Sequence, residues 1–319
     1  MSNPRVLCLG EVLFDCLADQ LGRSLEEVES WTPYPGGAPA NVACALVRLG
    51  CVGEDQPGNE LVDLLQRVGV DTTGVQRHPT APTRQVYVVR SLEGDRHFAG
   101  FGQYDTTEFA DTCLLANQLP IKLFEAADFL VLGTLELAYP ESGKAIHRAL
   151  ELAEEYNLKV LLDVNWRPVF WTNPDIAPQT IRALFKHIDF LKLSLEEAEW
   201  LFDTKKPREI LNRLDSVEGV IVTDGEHGCA YSFEEHDGQL PAFAVTVADT
   251  TGAGDSFVAG FIYQVLMHGI KSLSDPVKAK QIVTYASAVG ALTTMKPGAI
   301  ASQPTKEEVE AFLIQEIGV

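Results

Sequence analysis

The sequence predicts an α/β protein with a largely parallel central sheet and a small β appendage. Three observations predict it. Short apolar runs alternate with amphipathic stretches over most of the 319 residues, the pattern of βαβ units. One region near residue 90 breaks that alternation with two strand-like runs around a tight turn. The composition, 46% hydrophobic and 22% charged, is that of a folded chain with a sizeable core.

The clearest strand candidates are Val6 to Leu9, Phe129 to Leu132, Val160 to Asp163, Phe190 to Leu193 and Val220 to Thr223. Helices lie between them. Pro39 and Pro140 suit first-turn positions, and Gly50 and Asn157 suit helix ends. Arg84 to Arg90 and Arg96 to Phe101 flank Ser91-Leu92-Glu93-Gly94 as a hairpin would. We therefore expect one domain over residues 1–319, with about 16–35 and 80–105 forming a β lid over one end of the sheet.

The formal charge of −20 opposes binding to nucleic acid or an anionic membrane, both of which need clustered Lys and Arg. A site for a phosphorylated ligand must then rest on backbone dipoles and a few placed cations. Six cysteines are scattered without a Cys-x-x-Cys pair, which points to free buried thiols. With no signal peptide and no membrane-length apolar run, the expected setting is a reducing cytoplasm.

The segment richest in chemistry is Asp249-Thr250-Thr251-Gly252-Ala253-Gly254-Asp255, which runs into the apolar stretch Phe261 to Met267. Small residues before a helix let a ligand approach the backbone, and the helix start offers free N–H groups and a positive dipole end. That is an anion site. Asp255, one turn in, is placed to take the proton of an alcohol that attacks a phosphate held there. Taken alone, a Gly-Ala-Gly loop with an acidic residue complementing the helix dipole would be ordinary structure.

The whole run from Asp249 to Gly260, however, resembles the C-terminal signature of ribokinase-like (PfkB-type) sugar kinases. Gly36-Gly37-Ala38-Pro39-Ala40-Asn41 resembles their N-terminal signature. The resemblance implies a three-layer α/β/α fold, Asp255 as the base, and the N–H groups of Gly252, Ala253 and Gly254 as an anion hole. It implies sugar contacts from Asp15, Gly36, Gly37 and Asn41, and from the strand-end Asn165 and Arg167. Arg84 and Phe98 of the lid are counted with the same pocket.

The resemblance also implies nucleotide contacts from Lys192, Ser194, Thr223, Gly225, Gly228, Ala288 and Gly298. Asp249, Thr251, Gly298 and Ser302 would hold a monovalent cation, K⁺. Glu197 has two readings: with Ser194 it makes a capping box, and it also matches the glutamate that organises Mg²⁺ through water in this family. Ser194 stands where the family has asparagine. A second departure is that Gly50 runs directly into Cys51-Val52-Gly53-Glu54-Asp55, so either an edge strand is lost or a segment is missing.

The wording of both signatures is most like bacterial and plant fructokinases. The expectation is transfer of the γ-phosphoryl group of ATP to fructose, with Mg²⁺ and K⁺, and a homodimer paired through the lid. Kinases of 2-keto-3-deoxygluconate or ribose, and a non-catalytic sugar sensor on the same fold, are the alternatives. A dinucleotide oxidoreductase is disfavoured because no Gly-x-Gly-x-x-Gly follows the first strand.

Overall fold

In the computed structural model the described residues are 6–38, 47–92, 96–234 and 236–318. Seven parallel strands form most of a nine-stranded sheet: β1 (Val6–Leu9), β4 (Val47–Gly53), β5 (Asp71–His78), β8 (Phe129–Leu132), β9 (Lys159–Asp163), β10 (Phe190–Ser194) and β11 (Gly219–Thr223). Two antiparallel strands, β12 (Cys229–Phe233) and β13 (His236–Leu240), extend one edge. The order is β13-β12-β11-β10-β9-β8-β1-β4-β5. The strands expected from apolar runs are all present, each within a residue of the expected limits.

The central strands are buried on both faces, which is why they read as nearly unbroken apolar runs. Side chains alternate between two cores: Leu7 and Leu9 join one face, Val6 and Cys8 the other. The helix Pro140–Glu155 packs on the first face, and the helices Ala253–His268 and Pro276–Thr293 on the second. Pro140 is the first helical residue, as expected, and Asn157 takes a left-handed φ of 57° just past the helix end.

A separate four-stranded sheet has the order β3-β2-β6-β7, from β2 (Leu13–Leu21), β3 (Trp31–Gly36), β6 (Gln85–Arg90) and β7 (Arg96–Gly100). The expected hairpin is its β6–β7 pair. Pro39 and Asn41 lie outside the described residues.

One expectation fails here. Gly50 does not end a helix; it lies inside β4 and pairs with Val75 of β5. The period-two set Val47, Leu49 and Cys51 faces one core, so this stretch satisfies a strand better than a helix. Nor is the strand beside β1 lost, because β4 pairs with both β1 and β5. The consequence is a charge inside the sheet: Arg48 is fully buried and donates to the carbonyls of Cys8, Gly10 and Glu11.

Candidate active site

The candidate residues gather at the carboxyl ends of the parallel strands, where open α/β sheets bind ligands. The helix Ala253–His268 starts after Gly252, whose φ of 76° is a left-handed value that glycine adopts at little cost. Ala253 N–H closes a turn on the Thr250 carbonyl at 3.3 Å. Asp255 is buried on the first turn. The helix can lie close to its neighbour because Gly260 faces Ala286 and Val289; a Cβ there would stand 2.9 Å from Val289 Cγ2.

Lys192, on β10, brings a cation to this loop. A Cβ on Gly254 would stand 2.9 Å from Lys192 Nζ, so the ammonium lies against the Gly252–Gly254 loop itself. Nζ also donates to Asp163 of β9 at 3.0 Å and 3.2 Å. Burial works to lower the lysine pKa, but the charges of Asp163, Glu197 and Asp255 prevail and raise it. The lysine stays charged beside the first turn of the helix.

Asp249 organises the segment that leads into this helix. Its two carboxylate oxygens accept from Thr251 N–H and Gly298 N–H, both at 2.9 Å. Ser302 donates its hydroxyl to the carbonyls of Gly298 and Ala299. Residues 249–251 and 298–302, far apart in sequence, therefore meet, and they present carboxylate and carbonyl oxygens together. Hard oxygen donors of this kind suit a monovalent cation. Although burial pushes the Asp249 carboxyl up, these N–H groups and Arg96 hold it below the usual range.

Of the residues expected to hold the sugar, Asp15 and Gly36 belong to the four-stranded sheet, and Asn165 and Arg167 follow β9 of the main sheet. Asp15 on β2 is half-buried, and a Cβ on Gly36 would stand 2.6 Å from its Oδ2. Gly37 has φ of 100° and lies where a Cβ would meet the Glu11 carbonyl at 2.3 Å, so no side chain fits. Glu11 Oε1 accepts from Ala38 N–H at 2.8 Å and fixes this turn. Burial pushes Asp15 up to about 6, opposed by the charges of Arg96 and Arg167. Arg167 is exposed and Asn165, at φ of 37°, turns the chain after β9. Phe98 is 43% exposed and packs edge-on against Phe101.

Ser194 and Thr223 are partners in the β10–β11 register, and Gly225 and Gly228 bound the turn that follows. Ser194 and Glu197 do form a capping box. Glu197 does more: its Oε1 accepts from Trp166 N–H at 2.7 Å and its Oε2 from Ser194 N–H at 2.8 Å. It thereby ties the start of the helix Leu195–Phe202 to the loop that carries Asn165 and Arg167.

Two expectations need correction. Arg84 is 1% exposed and its guanidinium is committed to Asp111, Thr106 and Tyr139, inside a ring of Phe101, Phe109, Tyr139 and Phe170. It builds structure: each of its three guanidinium nitrogens already donates within the core. Ala288 has no exposed surface and packs in the cluster of Tyr285, Val289 and Val309, so it lines a helix interface and not a nucleotide. The reading from sequence missed Arg96, whose guanidinium reaches Asp249 at 2.6 Å and the Thr251 hydroxyl. No local pattern marks it, because its partners lie about 150 residues away.

A left-handed glycine opens a buried helix, a carboxylate lies on its first turn and a buried lysine stands against it, an arrangement suited to phosphoryl transfer. Comparison with known proteins agrees. Residues 3–306 match the pfkB family carbohydrate kinase family. The chain is 34% identical over 314 residues to fructokinase-1 of Zea mays, covering 95% of this chain and 96% of that one. It superposes with a TM-score of 0.88 on the Xylella fastidiosa fructokinase with bound ATP, at 28% identity and 99% coverage of both chains. A double-mutant fructokinase from Vibrio cholerae O395, in a form with bound fructose, ADP and potassium ion, superposes with a TM-score of 0.82 at 26% identity, covering 97% of this chain and 98% of that one. The chain belongs to the pfkB carbohydrate kinase family. It is an ATP-dependent sugar kinase with the ribokinase-like fold.

Proposed function

We propose that the protein phosphorylates D-fructose on its 6-hydroxyl with ATP, and that Asp255 is the general base. The observation that carries this is the junction of Gly252, Asp255 and Lys192, where a base, an anion loop and a buried cation share one helix start. Asp255 takes the hydroxyl proton as the oxygen attacks the γ-phosphorus and the bond to the leaving ADP oxygen breaks. The loop N–H groups and Lys192 stabilise the charge on the transferring group. Asp15 and the Gly36-Gly37 turn hold sugar hydroxyls, with Asn165 and Arg167 facing them. Ser194, Thr223, Gly225, Gly228 and Gly298 line the nucleotide side. The four-stranded sheet acts as the lid, and it is the surface through which two copies would pair.

Glu197 has both oxygens taken by backbone N–H groups, so it suits Mg²⁺ only through water, as an ion that arrives on the nucleotide phosphates. Bound Mg²⁺ would neutralise phosphate charge. K⁺ is assigned to Asp249, Thr251, Gly298 and Ser302 and would bind through the backbone carbonyl oxygens of this junction, because the Arg96 guanidinium already takes Asp249 Oδ2 and the Thr251 hydroxyl; bound there, it would order the loop that follows. Among the described residues the five cysteines are free and no helix is long and apolar enough to cross a membrane, which favours a reducing cytoplasm as the setting.

Fructose is favoured over 2-keto-3-deoxygluconate by the similarity to fructokinases, which reaches 34% identity to that of Zea mays over 95% of this chain. Turnover of a panel of sugars with ATP tests this. Fructose should have the highest kcat/KM; preference for the keto acid would reassign the substrate.

A further inference from the structure

The small sheet touches the catalytic end of the main sheet through a cation that the reaction scheme above does not use. Arg96 is the first residue of β7, and its guanidinium is two-pronged: one nitrogen lies 2.6 Å from Asp249 Oδ2 and another donates to the Thr251 hydroxyl. Asp249 and Thr251 lead directly into Gly252-Ala253-Gly254-Asp255. Asp249 Oδ2 is also the acceptor of Gly298 N–H, so the arginine completes a junction of three segments. A second contact runs in parallel, since a Cβ on Gly298 would stand 3.1 Å from the ring of Tyr34 on β3. Arg96 also opposes the ionisation cost of Asp15, and Arg167 acts on Asp15 in the same sense.

We propose that Arg96 is a positioning residue that locks the small sheet onto the anion loop and thereby holds Gly252–Asp255 in register with the sugar side of the site. An arginine suits this task because its planar fork holds two acceptors at once, which a lysine ammonium does not do with fixed geometry. The pair is partly solvated, with Arg96 32% exposed and Asp249 2% exposed, so it can separate when ligands enter and leave without unfolding the core. The kinetic consequence rests on the sugar-kinase reading; the structural one does not.

The test uses the full chain with Arg96→Ala, Arg96→Lys and Asp249→Asn. In the substrate-free proteins, amide hydrogen exchange is followed in peptides covering β7 and residues 249–255. Arg96→Ala should speed exchange in both segments together while the melting temperature stays close to that of the parent. Exchange at 249–255 that matches the parent would overturn the proposal, whatever the protein phosphorylates. In turnover with the best sugar of the panel, Arg96→Ala should lower kcat by about two- to fivefold, the shift that losing a solvated pair worth up to about 1 kcal/mol can produce. The KM for ATP should stay within about threefold, and Arg96→Lys should recover part of kcat. An unchanged kcat, or equal loss in the lysine and alanine variants, would contradict a two-pronged lock. If no sugar is turned over, the substrate reading fails and the exchange result alone decides the lock. Asp249→Asn is the reciprocal arm and should loosen β7 even if Arg96→Ala folds poorly.

Discussion

Two arginine–carboxylate pairs belong to the same hairpin region and do opposite work. Arg84 and Asp111 are 0% and 2% exposed, bidentate, and enclosed by four aromatic rings. Arg96 and Asp249 are 32% and 2% exposed and join the small sheet to the segment that leads into the helix Ala253–His268. In the first pair every guanidinium nitrogen already donates inside the core; in the second only the arginine reaches solvent. An arginine near a pocket is therefore assigned by what already occupies its donors, not by its proximity.

The largest expected effect is at the buried pair. Arg84→Ala leaves Asp111 as an uncompensated buried charge, which should cost about 3–5 kcal/mol of stability. Denaturant unfolding checks this, and a loss under about 1 kcal/mol, within the range of an exposed pair, would erase the contrast.

An intermediate effect is expected at Asp15, which sits beside the second pair. Its folded pKa is raised from 3.8 to about 6 by burial, so the fold favours the neutral acid. The stability this confers is fully present below pH 3.8 and is lost as pH rises through about 6. Asp15→Asn should therefore flatten the fall in melting temperature over that window. In activity the sign reverses, because only the ionised carboxylate is a full acceptor for sugar hydroxyls. The KM for sugar should rise as pH drops below about 6, and a KM independent of pH would remove Asp15 from the pocket.

The smallest effect is on stability at the bridging pair. Arg96→Ala should change unfolding free energy by no more than about 1 kcal/mol, as for other solvated pairs. A larger loss would make Arg96 a second Arg84.

Much of this architecture was legible in the sequence. The buried parallel strands are short apolar runs, and the Gly252–Gly254 stretch opens a helix, as small residues before an apolar run imply. Capping at Ser194 and Glu197 is equally local. What stayed hidden depends on contacts between distant segments. Gly50 resembles a helix end until β1 and β5 are seen to need a strand between them. Arg84 resembles a ligand contact until Asp111 and its aromatic ring are placed around it. Ala288 sits in a helix whose buried face only tertiary packing reveals, and Arg96 finds Asp249 only when the two sheets meet. The antiparallel edge β12–β13 also escaped, since polar residues such as Gln239 and Asp237 interrupt its apolar pattern.

The central claim is that Asp255 is the base of a fructose kinase, and one measurement bears on it most directly. Fructose 6-phosphate formation from fructose and ATP is followed for the parent protein and for Asp255→Asn, with binding of both substrates measured alongside. The amide keeps the shape of the carboxylate, so binding should be nearly unchanged while kcat falls by about 10²–10⁴-fold. Near-parental turnover in Asp255→Asn would contradict the account.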